Sequence, residues 1–263
     1  MKRRKKKRTH SQVYVSVLLA LLALVAVTAA TVAWFSIADR TKVRSMSLDI
    51  VTDVDLRMDL DPHEIIDQYV KTLSFEAIAQ RIQSEKGFSM ADTPLQPVTT
   101  SDMRTFTFEN GTVAESASGA YLEFTLHFMA EKDMLVHLTS ANSSAQAQDG
   151  TEISSGVSSL PESMRISFTA DGQTWIYDPG MGNTAASSGS MKTFGLPGAS
   201  QMELTDANAM FSLAAGQDKE VVVHIWLEGT DPACTDELKS ADYAIRMRFT
   251  GTDISGAAFE ETY

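Results

Sequence analysis

The chain has 263 residues, room for one large domain or two small ones, and its charge is sharply divided. Residues 2–8 read KRRKKKR; with those seven set apart from 22 Lys and Arg, 15 cations face 34 Asp and Glu, so everything from Asp39 onward carries a formal charge of −19. That surface repels phosphate backbones and argues against nucleic acid as a partner, and the single cysteine, Cys234, rules out an intrachain disulfide.

In chain order, residues 1–12 form a basic region and residues 13–37 a hydrophobic segment. No residue from Ser11 to Ala38 is charged, and Val, Leu and Ala dominate. About 20 apolar residues cross a bilayer as a helix, the form that satisfies every backbone group in lipid. Cations ahead of the segment hold the N-terminus in the cytoplasm, so the chain after Ile37 is expected on the far side, with Trp34 and Phe35 at the outer interface. Two outcomes stay open. In the first the segment is a signal peptide with Val13–Val27 as its apolar part, cut after Ala33 to leave Trp34 as the new N-terminus, or after Ala30. In the second it is an uncleaved single-pass anchor. The expected location is the cell membrane with an extracytoplasmic C-terminal domain, or the cell surface or medium after cleavage. Cysteine poverty in an exported chain of this size fits a bacterial envelope.

Residues 38–263 are expected to form the extracytoplasmic domain. Period-two alternation dominates it, as a strand with one apolar face requires. Met46, Leu48 and Ile50 alternate with Ser45, Ser47 and Asp49; Val54, Leu56, Met58 and Leu60 form a second stripe; Leu122, Phe124, Leu126 and Phe128 a third. Met164–Thr169, Val221–Leu227 and Tyr243–Phe249 repeat the pattern, and shorter candidates lie at Met103–Phe108, Asp133–Thr139 and Gln173–Tyr177. About nine strands, each apolar on one side, are economically buried as two antiparallel sheets face to face, which predicts an all-β, Ig-like sandwich.

A helical insertion is expected at about 61–86. Asp61 reads as N-cap, Pro62 as first helical residue and Glu64 as third; Ile66, Tyr69, Val70 and Leu73, then Phe75, Ile78, Ala79 and Ile82, keep helical spacing up to Lys86-Gly87. The Ser/Gly/Ala-rich stretches Ser140–Ser159 and Gly180–Ser190 read as mobile loops.

Catalytic motifs are missing. His63-Glu64 is followed by Asp67 where a zinc-protease helix needs histidine, and no G-x-S-x-G, S-x-x-K or P-loop occurs. The acids Asp49, Asp53, Asp55, Asp59 and Asp61 invite a calcium reading, but a loop counted from Asp53 lacks the sixth-position glycine, and Asp55 and Asp59, on the outer face of a strand, read as solvated. Asp231, Asp236 and Glu237 flank a turn, where polar turn chemistry weighs more than a cation site. His127, His137 and His224 fall on polar faces of three strands and read as separate surface histidines, a metal site requiring those strands to be neighbours. Cys234 reads as a buried, inert thiol. The expectation is a non-enzyme with no cofactor, metal or catalytic residue; its partners are the membrane through the N-terminal helix and further copies or matrix components.

Two segments resemble a known family. ATVAWFSIADRTKVRSMSLDI, residues 30–50, resembles the start of the camelysin/TasA-like exported β-sandwich proteins of Gram-positive bacteria. VVVHIWLEGTDPACTDELKSADYAIRMRFTGTD, residues 221–253, resembles the closing strands of proteins with this kind of leader, Ile225–Cys234 being its distinctive part. The resemblance implies a jelly-roll sandwich, removal of the leader by a dedicated signal peptidase after Ala33, and in some members assembly into biofilm-matrix fibres. The helical insertion and the strongly basic N-terminus depart from the fibre-forming members, and the protease activity associated with camelysin has no zinc motif here to carry it. The expected function is therefore a structural or adhesive surface protein that self-associates by strand addition through Met46–Ile50; a membrane-anchored binding module and an envelope hydrolase are the alternatives.

Overall fold

The computed structural model describes residues 16–22, 42–50, 56–140, 150–181, 185–197, 204 and 208–254. The chain divides into two compact units, Met1–Asp39 and Arg40–Tyr263. In the first, residues 16–22 form a helix, α1, whose Val17, Leu18, Leu19, Leu21 and Leu22 are exposed. Among the described residues no helix is long and apolar enough to cross a membrane. The rest of the predicted 13–37 segment, with Ala33 and Trp34, lies outside them.

The second unit is built from strands. The first sheet contains β1 (Lys42–Ile50), β3 (Thr72–Ser74), β8 (Met134–Leu138), β14 (Phe211–Leu213) and β16 (Asp242–Thr252), ordered β14-β8-β16-β1-β3, while β9 (Glu152–Ser155) also pairs with β16. The second contains β2 (Leu56–Asp59), β7 (Leu122–Ala130), β10 (Met164–Ala170), β11 (Gln173–Tyr177), β12 (Ala185–Ser188), β13 (Met191–Phe194) and β15 (Lys219–Glu228), ordered β12-β13-β11-β10-β15-β7-β2, with β4 (Pro97–Val98) beside β15. A small hairpin joins β5 (Phe106–Thr107) to β6 (Val113–Ala114).

The apolar stripes read from the sequence face one another. Leu48 and Phe249 from the first sheet and Phe124, Phe128, Phe168 and Val223 from the second belong to one buried cluster. Phe249 stands edge-on to Phe128 at 5.3 Å and to Phe168 at 5.7 Å, which ties the sheets together through aromatic contacts. The two-layer β architecture follows from the period-two pattern.

The expected purely antiparallel arrangement needs correcting, because both sheets are mixed. β1 runs parallel to β16, β11 to β13 and β15 to β4. Alternation specifies which face is buried but is the same for either strand direction. β1 also lies inside its sheet: β16 flanks it from Lys42 to Ile50, and β3 flanks Ser47–Asp49 on the other side.

The helical insertion is shorter than 61–86. Helix α2 covers Phe75–Lys86, with Ser74 as N-cap, its hydroxyl accepting from the Ala77 amide at 3.3 Å, and Gly87 (φ 83°) closing the C-terminus in the left-handed conformation glycine favours. The predicted Asp61–Pro62 start fails because other partners hold that stretch. Asp61 pairs with Arg81 at 2.6 Å, the Tyr69 hydroxyl accepts from the His63 amide at 2.8 Å, and Val70 and Met58 exchange two backbone hydrogen bonds of 2.9 Å. This segment folds back along β2 instead of coiling; Ile66–Gln68 makes only a 3-10 turn. The stretches read as loops also contain strands: β9 lies within 140–159 and β12 within 180–190, each recruited by backbone pairing to a stronger neighbour.

Candidate functional site

On β7, β10 and β15 the residues between the core positions point to the outer face of the second sheet. There Ser167 stands opposite His224, and His224 opposite Glu123, so three neighbouring strands place a serine, a histidine and a glutamate in one row. His224 Nε2 lies 3.3 Å from Glu123 Oε2, and Lys86 Nζ, in the last turn of α2, donates to Glu123 Oε1 at 2.5 Å. The His224 hydrogen bond, reinforced by Lys86, holds the Glu123 carboxyl down at about 2 despite the opposing effect of burial.

A second layer covers this outer face. Val98, Met103, Phe106, Ala114, Ala120, Tyr121, Ile176 and Trp226 form a separate buried apolar cluster, with Phe106 stacked on Tyr121 at 4.0 Å and 5.3 Å from the His224 ring. Met103 adopts a left-handed φ of 57°, rare for a side chain of its kind, in the loop that carries this cover. Beneath it, Ser167 Oγ and His224 Nδ1 are buried and have no hydrogen-bond partner. The row has the order of a nucleophile, a base and an orienting acid, but an activated nucleophile requires the serine–histidine hydrogen bond that is missing here.

Glu123 is the titratable centre of the row, and the sign of its effect is definite. Its pKa is lowered from 4.5 to about 2 in the folded chain. Its contribution is therefore fully present above about 4.5 and is lost as pH falls toward about 2. In Glu123→Gln the unfolding midpoint, followed by circular dichroism across that window, is expected to fall less steeply than in the wild type. An unchanged slope would show that the Lys86–Glu123–His224 contacts do not couple to folding.

Other sequence candidates have different fates. His127, His137 and His224 are all buried, not on the surface as their polar-face positions implied. His127 and His224 lie on adjacent strands, while His137 belongs to the other sheet, bonded to Asn208 and Thr252. His127 Nδ1 lies 2.9 Å from Asp218, which accepts from the Tyr69 hydroxyl at 2.7 Å, and His63 lies 3.5 Å from Asp59. Among the described residues no cluster of three or more His, Cys, Asp or Glu is placed to hold a metal ion. Of the acids that invited a calcium reading, Asp49 pairs with Arg248 and Asp61 with Arg81. Asp53 and Asp55 lie outside the described residues.

The Ile225–Cys234 stretch completes β15 and then turns after Glu228. Glu228 accepts from Trp226 Nε1 at 3.0 Å and from the Thr230 hydroxyl at 2.6 Å, and Asp231 accepts from the Ala233 amide at 2.7 Å. Arg165 sits against both Asp231 and Asp178, the latter at 3.2 Å. Of the three acids at which the sequence allowed a cation, Asp231 is thus paired with Arg165, and Asp236 and Glu237 are exposed at the start of a 3-10 turn. Burial pushes the Cys234 thiol up, with Asp231 and Glu228 adding to the effect, so it is a poor nucleophile.

No family model, curated protein or solved structure matches the chain.

Proposed function

We propose that the chain is an exported structural or adhesive protein of the cell surface or extracellular matrix, held by or released from the membrane at its N-terminus, and that copies associate by exchanging strand β1. The resemblance of residues 30–50 and 221–253 to the camelysin/TasA-like proteins, with a jelly-roll form of the sandwich, is part of this reading. The basic residues 2–8 and the uncharged run from Ser11 to Ala38 support export.

The observation that carries self-association is the place of β1. It is the first strand of its unit, and it contributes Val43, Met46, Leu48 and Ile50 to the core. At about 1.5–3 kcal/mol for each buried apolar side chain, β1 contributes roughly 6–12 kcal/mol, comparable with the whole stability of an ordinary domain. The groove beside β16 must therefore be filled. An N-terminal arm fills it equally well from its own chain or from a neighbour's, with the same contacts, so concentration decides between the two.

Purified residues 34–263 are expected to form oligomers or fibres that increase with concentration, seen by electron microscopy and light scattering. A preparation that stays monomeric at every concentration would sink the proposal. Mass spectrometry of the native N-terminus distinguishes release, with Trp34 first, from a permanent tether.

A further inference from the structure

β1 meets β16 through charges as well as through its apolar residues. Shifting β1 by one residue along β16 turns its core side chains outward, but a shift of two keeps them inward, so alternation alone admits several registers. Charges lie at the two ends of the pairing. Asp49 Oδ2 is 2.8 Å from Arg248 Nη1, and both side chains are largely buried, at 15% and 20% exposure. At the other end Arg44 Nε donates to Asp242 Oδ2 at 2.6 Å, just where the register shifts between Val43 and Ser45. Arg44 is 73% exposed, so its pair is weak, and the Asp49–Arg248 pair dominates. On the far side of β1, Asp49 stands opposite Thr72 of β3, which brings no compensating charge.

We infer that the Asp49–Arg248 pair is the specificity element of self-association: in an assembly, Asp49 of one copy meets Arg248 of the next and fixes which strand is accepted. This rests on the strand-exchange reading above. A strand carrying the wrong charge would bury like charges together, a penalty far larger than the gain from an exposed pair.

The test is the double variant Asp49→Arg with Arg248→Asp, in which the pair is restored with reversed polarity. Wild-type and double-variant chains, both residues 34–263 with different fluorescent labels, are mixed and allowed to assemble. Each is expected to assemble alone and to sort into separate fibres, with cross-incorporation at least about tenfold below that of two differently labelled wild-type samples. Free mixing overturns the inference while leaving strand exchange intact; failure of the wild type to assemble overturns strand exchange itself. Should the double variant not fold, Asp49→Asn is added as a minor component to wild type. Its incorporation is expected to drop about tenfold, and incorporation equal to wild type would again refute the inference.

Discussion

Replacing Phe249 by alanine is expected to lower the free energy of unfolding by about 3–5 kcal/mol. Phe249 is fully buried on β16, between Ile50 of β1 and Leu138 of β8, and meets Phe128 and Phe168 of the opposite sheet. Its removal costs the transfer of an aromatic ring and leaves a cavity where two rigid sheets cannot collapse. Urea titration should show the midpoint moving with little change in slope. Val113→Ala, on the exposed side of the β5–β6 hairpin, is the control and should stay within about 0.5 kcal/mol of wild type. If the two variants shifted alike, the aromatic contact between sheets would not be the centre of the core.

Arg165→Leu is expected to cost about as much, roughly 3–5 kcal/mol, for a different reason. The guanidinium is nearly buried between Asp178 and Asp231 and also donates to the Glu162 and Met164 carbonyls at 2.7 and 2.9 Å. Leucine replaces much of the volume but strands two carboxylates. Burial already pushes the Asp178 carboxyl up, and Arg165 is the main force opposing it. An acid whose folded pKa is raised weakens the fold at high pH, and that penalty is relieved as pH falls through the folded value. The variant should therefore recover part of its loss on mild acidification, whereas loss of packing would be indifferent to pH. Adding Asp178→Asn and Asp231→Asn should recover stability at neutral pH. If it did not, unpaired charge would not explain the loss.

The strands were legible where one chain segment carries its own pattern. Met46–Ile50, Leu122–Phe128, Met164–Thr169, Val221–Leu227 and Tyr243–Phe249 all lie in strands, because alternation records a local fact, namely which side chain meets the core. Residues whose structure depends on a distant partner were not legible. β9 has a single apolar anchor, Ile153, and exists because β16 offers it backbone groups. Helix α2 ends where Lys86-Gly87 indicated, yet its start was missed, since Tyr69 and Arg81 hold the Asp61–His63 stretch through contacts that helical spacing does not encode. The histidines were misplaced for a related reason. A polar-face position is exposed only if nothing packs on it: Phe106 of the apolar cover meets His224, while Asp218 holds His127 and Asn208 and Thr252 hold His137, partners that alternation along one strand does not encode. The Ser167–His224–Glu123 row was likewise hidden, as it emerges from the register of three strands and not from spacing along any of them.

The parallel pairing of β1 with β16 also governs how the molecule comes into being. Arg44 and Asp242 bond across 198 positions of sequence, so apart from the short β3 pairing at Ser47–Asp49 the opening strand has no sheet neighbour until β16 is available. Contacts this distant are slow to form, because closing so large a loop precedes any reward. A chain made N-terminus first therefore keeps most of the β1 backbone without its β16 partner until residues 242–252 are made.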